Sequence, residues 1–211
     1  MAAVTSHSPG TPQRDEAVST PASTAAGFAD PGPLGLAGFA ATTFFLSTVN
    51  AGLLPSTVEA GVFGLAFFYG GVAQLLAGMW EFVKGNTFGA VAFTSYGAFW
   101  LSFWYLANHL PDAPSADVTH AVATYLLAWT IFTAYMFVAS VRTSGAVMIV
   151  FLLLLLTFAA LTVGDYTGAT GWTRVGGWLG LVTAVLAWYA SFAGVLNATA
   201  RRTILPTFPR A

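Results

Sequence analysis

Six mostly apolar intervals divide this chain, at residues 33–53, 58–80, 87–108, 118–141, 144–164 and 175–197. Each is close to the roughly 20 residues that a helix needs to cross about 30 Å of hydrocarbon. The pattern therefore predicts an all-α membrane protein with six transmembrane helices. Turn formers and charges mark the breaks: Pro55, the Lys84-Gly85-Asn86 run, Pro111 with Pro114, Arg142, and the stretch from Asp165 to Arg174. The third interval differs from the rest. It carries Asn86, Thr87, Thr94, Ser95 and Tyr96 among its apolar residues, groups that hydrocarbon does not solvate.

Composition narrows the class. Of 211 residues 56% are hydrophobic and only 7% charged, with a mean hydropathy of +0.73 and a net charge of −1. An ordinary soluble domain has about 25% charged residues, so a water-soluble globule is excluded, and no basic surface suggests nucleic acid. Cysteine is absent, which removes disulfides and thiolate metal chemistry. Residues 1–29, rich in Ala, Ser, Thr and Pro, read as a disordered tail before a transmembrane domain at 30–206, with 207–211 as a C-terminal tail.

Charge placement sets a direction. Six spans put both termini on one side, which then holds Arg14, Lys84, Arg142, Arg201, Arg202 and Arg210 against Arg174 alone on the other. Short positive loops stay inside, so the N and C termini are expected to be cytoplasmic.

Polar residues within the spans are the candidates for function. Asp30 suits a cap for the first helix with Pro31 at its first position; the alternative is that this start, with Leu34 and Gly35, forms a pore entrance. Gly70, Gln74 and Gly78 share one helical face, where Gln74 bonds across a close helix contact or offers its amide to a solute. Asn86, Gly89, Phe93, Tyr96 and Trp100 draw an aromatic stripe with polar tips, which is either simple core or, since buried Tyr and Trp need hydrogen-bond partners, the lining of a water-accessible path. Gly176, Gly180, Ala184, Ala187 and Ser191 form a small-residue seam for close helix packing. Glu81, three residues before Lys84, suits a surface ion pair at a helix end, with a proton relay as the alternative. No span contains Lys or Arg, no metal-binding or nucleophile motif appears, and His7, His109 and His120 sit in the tail or at span ends.

The blocks DPGPLGLAGF, FFYGGVAQLLAGMWEFVKGNTFGAVAFTSYGAFW and LNATARRTILP closely resemble the acetate uptake transporters, also called succinate-acetate permeases. The likeness runs from Asp30 to Pro206. It implies a six-helix protomer assembled as a homohexamer in the cell membrane, with a pore in each protomer for acetate and related small carboxylates, working as an anion channel or a proton symporter. It also implies a narrowing at a Phe, a Tyr and a Leu, which by motif and counting fall on Phe39, Tyr96 and Leu154. Where the family has Asn-Pro, this chain has Asp30-Pro31, adding negative charge near an anion entrance. On that reading Thr42, Thr43, Gln74, Tyr96 and Trp100 replace part of a carboxylate's water shell while Phe39 and Leu154 restrict passage; no cofactor is needed. The other classes are a non-transporting membrane sensor or assembly protein of the same fold, and an intramembrane enzyme, for which no nucleophile and base pair is present.

Overall fold

The computed structural model describes residues 27–109 and 115–210. The expected N-terminal tail falls almost wholly outside them, as do Pro111 and Pro114. Six long helices make up the described part: α1 (Gly32–Asn50), α2 (Ser56–Lys84), α3 (Thr87–Asn108), α4 (Ser115–Ser140), α5 (Gly145–Thr167) and α6 (Thr170–Ala200). All but α3 are long and apolar enough to cross a membrane by length and composition. The 22 residues of α3 have the length, but its polar stripe dilutes its hydropathy.

Local chemistry explains the helix ends. At Gly85 the backbone turns left-handed (φ 79°) and stops α2; Asn86 then accepts from Gly89 N–H at 3.1 Å and starts α3. Gly168 does the same for α5 at φ 65°. The expected break from Asp165 to Arg174 is only Gly168 and Ala169, because both charges lie in helical turns. With 31 residues, α6 is about 46 Å long, so its ends project beyond hydrocarbon and can carry charge. The N-cap of α1 is Pro31 rather than Asp30. Asp30 stands one residue earlier and still accepts from Gly32 N–H at 3.0 Å.

Helix α2 is not uniform. It begins as a 3-10 turn (Ser56–Gly61), widens to a π-helix over Leu65–Ala73 and becomes α-helical from Gln74. At the start of the wide turn, Thr42 Oγ1 of α1 reaches Leu65 O at 3.4 Å while also bonding Gly38 O at 2.9 Å. Thr42 is thus a fully buried helix-to-helix contact that lines neither of the two cavities described below.

The bundle pairs α1 with α6, α5 with α4 and α6, and α2 with α3 and α1. Small residues permit the close approaches: in α6 Gly176, Gly180, Ala184, Ala187 and Ser191 are all buried, as the seam predicted. Large apolar side chains face outward instead, such as Phe68, Ile131 and Val138 at 60 to 71% exposure, a surface that suits lipid or another protomer. The chain ends by folding back. Asn197 brackets Ile204 N–H, Leu205 N–H and Leu205 O, and Phe208 O and Thr207 O then accept from Gly145 and Ala146 N–H, capping the start of α5.

Candidate functional site

With the start of α1 placed at the bottom, two cavities reach into the bundle from opposite ends. The lower one, about 690 Å³, is lined by the starts of α1, α3 and α5 and the ends of α2, α4 and α6, including Asp30, Glu81, Lys84 and Arg142. The upper one, about 280 Å³, is lined by the opposite helix ends, including Asn50, Glu59, Asp165 and Thr173.

The two linings meet across one layer. Along α1 they pass from Leu36 below to Phe39 above, and along α5 from Phe151 to Leu154. Along α3 they pass from Phe93 to Phe99, with Tyr96 between. Phe39, Tyr96 and Leu154 are each 5% exposed or less and belong to one buried cluster. The Phe39 and Tyr96 rings are 5.8 Å apart between centroids, and Tyr96 also packs on Phe132 at 5.3 Å and Phe151 at 6.0 Å. Leu154 is the member of its leucine run that turns inward, whereas Leu156 is 44% exposed.

The Tyr96 hydroxyl has a fixed role. It lies 3.0 Å from Thr133 Oγ1, whose own proton goes to Trp129 O at 2.7 Å. Tyr96 therefore donates to Thr133, and its ring is held across the neck by that bond. Thr133 carried no signal in the sequence, because one Thr in an apolar helix looks like any other.

Among the described residues, four buried side-chain polar atoms have no hydrogen-bond partner: Thr43 Oγ1, Gln74 Oε1, Thr94 Oγ1 and Trp100 Nε1. A buried group left so costs about 1–3 kcal/mol. Thr43 and Trp100 line the upper cavity just above the neck, so a solute oxygen entering there meets two unspent donors. Gln74 and Thr94 line neither cavity. Gln74 is 1% exposed and packs towards α1, its Cβ lying 3.6 Å from where Gly38 would carry one. Its face of α2 is a contact surface on α1 and α3: a Cβ on Gly70 would meet Thr42 Oγ1 at 2.5 Å and Trp100 Cδ1 at 2.8 Å.

Of the expected entrance residues, Asp30 lines the lower cavity. Leu34 is 46% exposed and lines neither cavity, while Gly35 is covered by the Phe93 ring, which a Cβ would meet at 2.6 Å. Glu81 is not a surface residue: it is 1% exposed. Asn86 Nδ2 donates to its Oε2 at 2.8 Å and Lys84 Nζ stands 3.9 Å away. Its carboxylate also lies against the starts of α1 and α3, within 3.4 Å of a Cβ built on Gly32 and 2.9 Å of one on Gly89. Free N–H groups at helix starts favour negative charge, which explains a buried acid. Lys84 makes its shorter bond elsewhere, to Asp30 Oδ1 at 2.7 Å. Glu59 and Asp165, the two charged residues lining the upper cavity, were not marked by any motif.

The GPR1/FUN34/yaaH family pattern matches residues 15–210. The succinate-acetate/proton symporter SatP of Escherichia coli K12 is 38% identical over 182 residues, covering 84% of this chain and 94% of that protein. Ammonia transport outward protein 2 of Saccharomyces cerevisiae is 41% identical over 190 residues, 87% of this chain but 67% of the yeast protein. The solved structure of the bacterial acetate channel SatP superposes with a TM-score of 0.78 at 38% identity, covering 85% of this chain and 99% of the other.

Proposed function

We propose, since the chain belongs to the GPR1/FUN34/yaaH family, that it is a multi-pass membrane transporter or channel for acetate and related small carboxylates, succinate among them. The observation that carries this reading is the neck of Phe39, Tyr96 and Leu154 between two cavities that open at opposite ends of one protomer. An apolar neck excludes ions by dewetting, and neutral donors beside it replace part of a carboxylate's hydration without holding it too tightly to leave. Thr43 Oγ1 and Trp100 Nε1, unpartnered above the neck, are such donors. An indole N–H donates only, which favours a carboxylate oxygen over an ammonium ion at that point. The name of the yeast relative gives ammonia its place as the second solute to test.

Labelled-acetate uptake into vesicles holding the purified protein tests this directly. Uptake above that of empty vesicles is expected, and ammonium should not compete for it. An imposed inward proton gradient that drives accumulation above equilibrium marks symport; a gradient that changes nothing but the membrane potential marks a channel. Uptake equal to that of empty vesicles would favour a sensor of the same fold.

The finer arrangement is proposed with it: six spans, both termini cytoplasmic, and a homohexamer in the cell membrane with one pore per protomer. Support for the direction comes from the charges, since Lys84 and Arg142 line the lower cavity at the same end as Arg201 and Arg202, whereas Arg174 lies beside Gly52 at the other. A cysteine placed at Arg210 is expected to resist membrane-impermeant maleimide in intact cells while one at Arg174 reacts; the reverse pattern would invert the topology.

A further inference from the structure

We propose that Lys84 is the anion station of the lower cavity, where the transported carboxylate is first bound or last released, and that Asp30 is a built-in competitor occupying that station in the empty protein. The proposal rests on the carboxylate reading above. It starts from the way charge is distributed among four groups lining one cavity: Asp30, Glu81, Lys84 and Arg142.

Glu81 is the fixed partner. It is buried at 1% exposure, held by Asn86 at 2.8 Å and seated against the starts of α1 and α3. Its charge is therefore met mainly by groups other than Lys84, which stays 3.9 Å away. Lys84 has three donors, and its short bond, 2.7 Å, goes to Asp30.

That bond is the exchangeable one. The Asp30 side chain is 51% exposed and that of Lys84 34% exposed, the setting in which ion pairs are weak and screened. A solute carboxylate presents Lys84 with the same chemical group that Asp30 presents, so it loses nothing by replacing it. When displaced, Asp30 returns to water and keeps its bond to Gly32 N–H at the start of α1. Glu81 cannot be displaced in this way, because a buried carboxylate without partners is costly. Arg142 lines the same cavity and makes no ion pair among the described residues. It raises the local concentration of anions, whereas Lys84 binds one at a specific point.

Competition of this kind has a signature that packing does not. Acetate binding to the purified full-length protein, followed by saturation-transfer NMR titration, reads affinity without requiring flux. Asp30→Asn is expected to tighten acetate by about two- to fivefold, the factor set by the strength of an exposed ion pair. Lys84→Gln should weaken binding by about tenfold, the loss of one hydrogen bond to a charged group. In the Asp30→Asn, Lys84→Gln double variant the gain from Asp30→Asn should vanish. Unchanged affinity in folded Asp30→Asn overturns the proposal, and so does a gain that persists without Lys84, since that would be the general effect of removing a negative charge. Vesicle uptake by the unaltered protein is measured alongside: absent uptake with intact competition would remove the transport reading and leave the anion station standing.

Discussion

Leu154→Ala is expected to raise the ratio of succinate to acetate uptake by about tenfold or more, the scale on which one or a few methylenes change selection in an apolar pocket. The neck is one layer thick: Phe39 and Leu154 already line the upper cavity, and Leu36 and Phe151, three residues before each, line the lower. Removing the Leu154 side chain joins the two cavities, admits water and lowers the barrier for a longer, doubly charged solute. Phe39→Ala should act in the same direction. Tyr96→Phe is the control for bulk. It keeps the ring and removes the bond to Thr133 at 3.0 Å, so acetate flux should fall while the ratio stays constant. The comparison requires equal amounts of folded protein, because Leu→Ala in a packed core also costs about 2–5 kcal/mol of stability. Unchanged ratios in both alanine variants would place the selective barrier elsewhere.

Gly177→Val should have the largest effect on assembly of the fold. A Cβ on Gly177 would clash with the backbone of Asn50 and Ala51 at the end of α1, and backbone cannot rotate away as a side chain can. Overpacking costs about 1–3 kcal/mol where side chains can yield; here α1 and α6 must separate, and they form one of the two most extensive helix pairs of the bundle. Little monodisperse protein is expected on size-exclusion chromatography in detergent. Gly171→Ala in the same helix, where a Cβ meets nothing within 4 Å, should behave as the unaltered chain. A monodisperse, thermally stable Gly177→Val would show that the α1–α6 contact is looser than described.

The helices were legible because their ends are written in strong local signals. Gly85 and Gly168 adopt the left-handed turn that most residues avoid, Asn86 caps α3, and apolar runs fill the intervals between. The interior was legible only in part. Leu154 and Leu156 sit in the same leucine run, yet one is 4% exposed and the other 44%; periodicity cannot choose between a face turned to the core and one turned outward when both are greasy. The resemblance supplied Phe39, Tyr96 and Leu154, and the structure brings the three together. The burial of Glu81 escaped for a different reason. Its setting is decided by backbone from other helices, the starts of α1 and α3. No local pattern encodes such a partner.

The π-helical stretch of α2 also bears on how this chain can change over evolutionary time. Over Leu65–Ala73 each turn holds more residues than the α-helical segments on either side, so the stretch carries surplus backbone in mid-helix. Losing one residue there lets the turn tighten while Gln74–Lys84 keeps its phase on α3, with the rotation absorbed towards Ser56–Gly61. The same loss within Thr87–Asn108 has no slack to consume; it would swing either Asn86 or Trp100 by a full residue's rotation and misalign the neck. Single-residue deletions should therefore be tolerated in the first half of α2 and eliminated from α3.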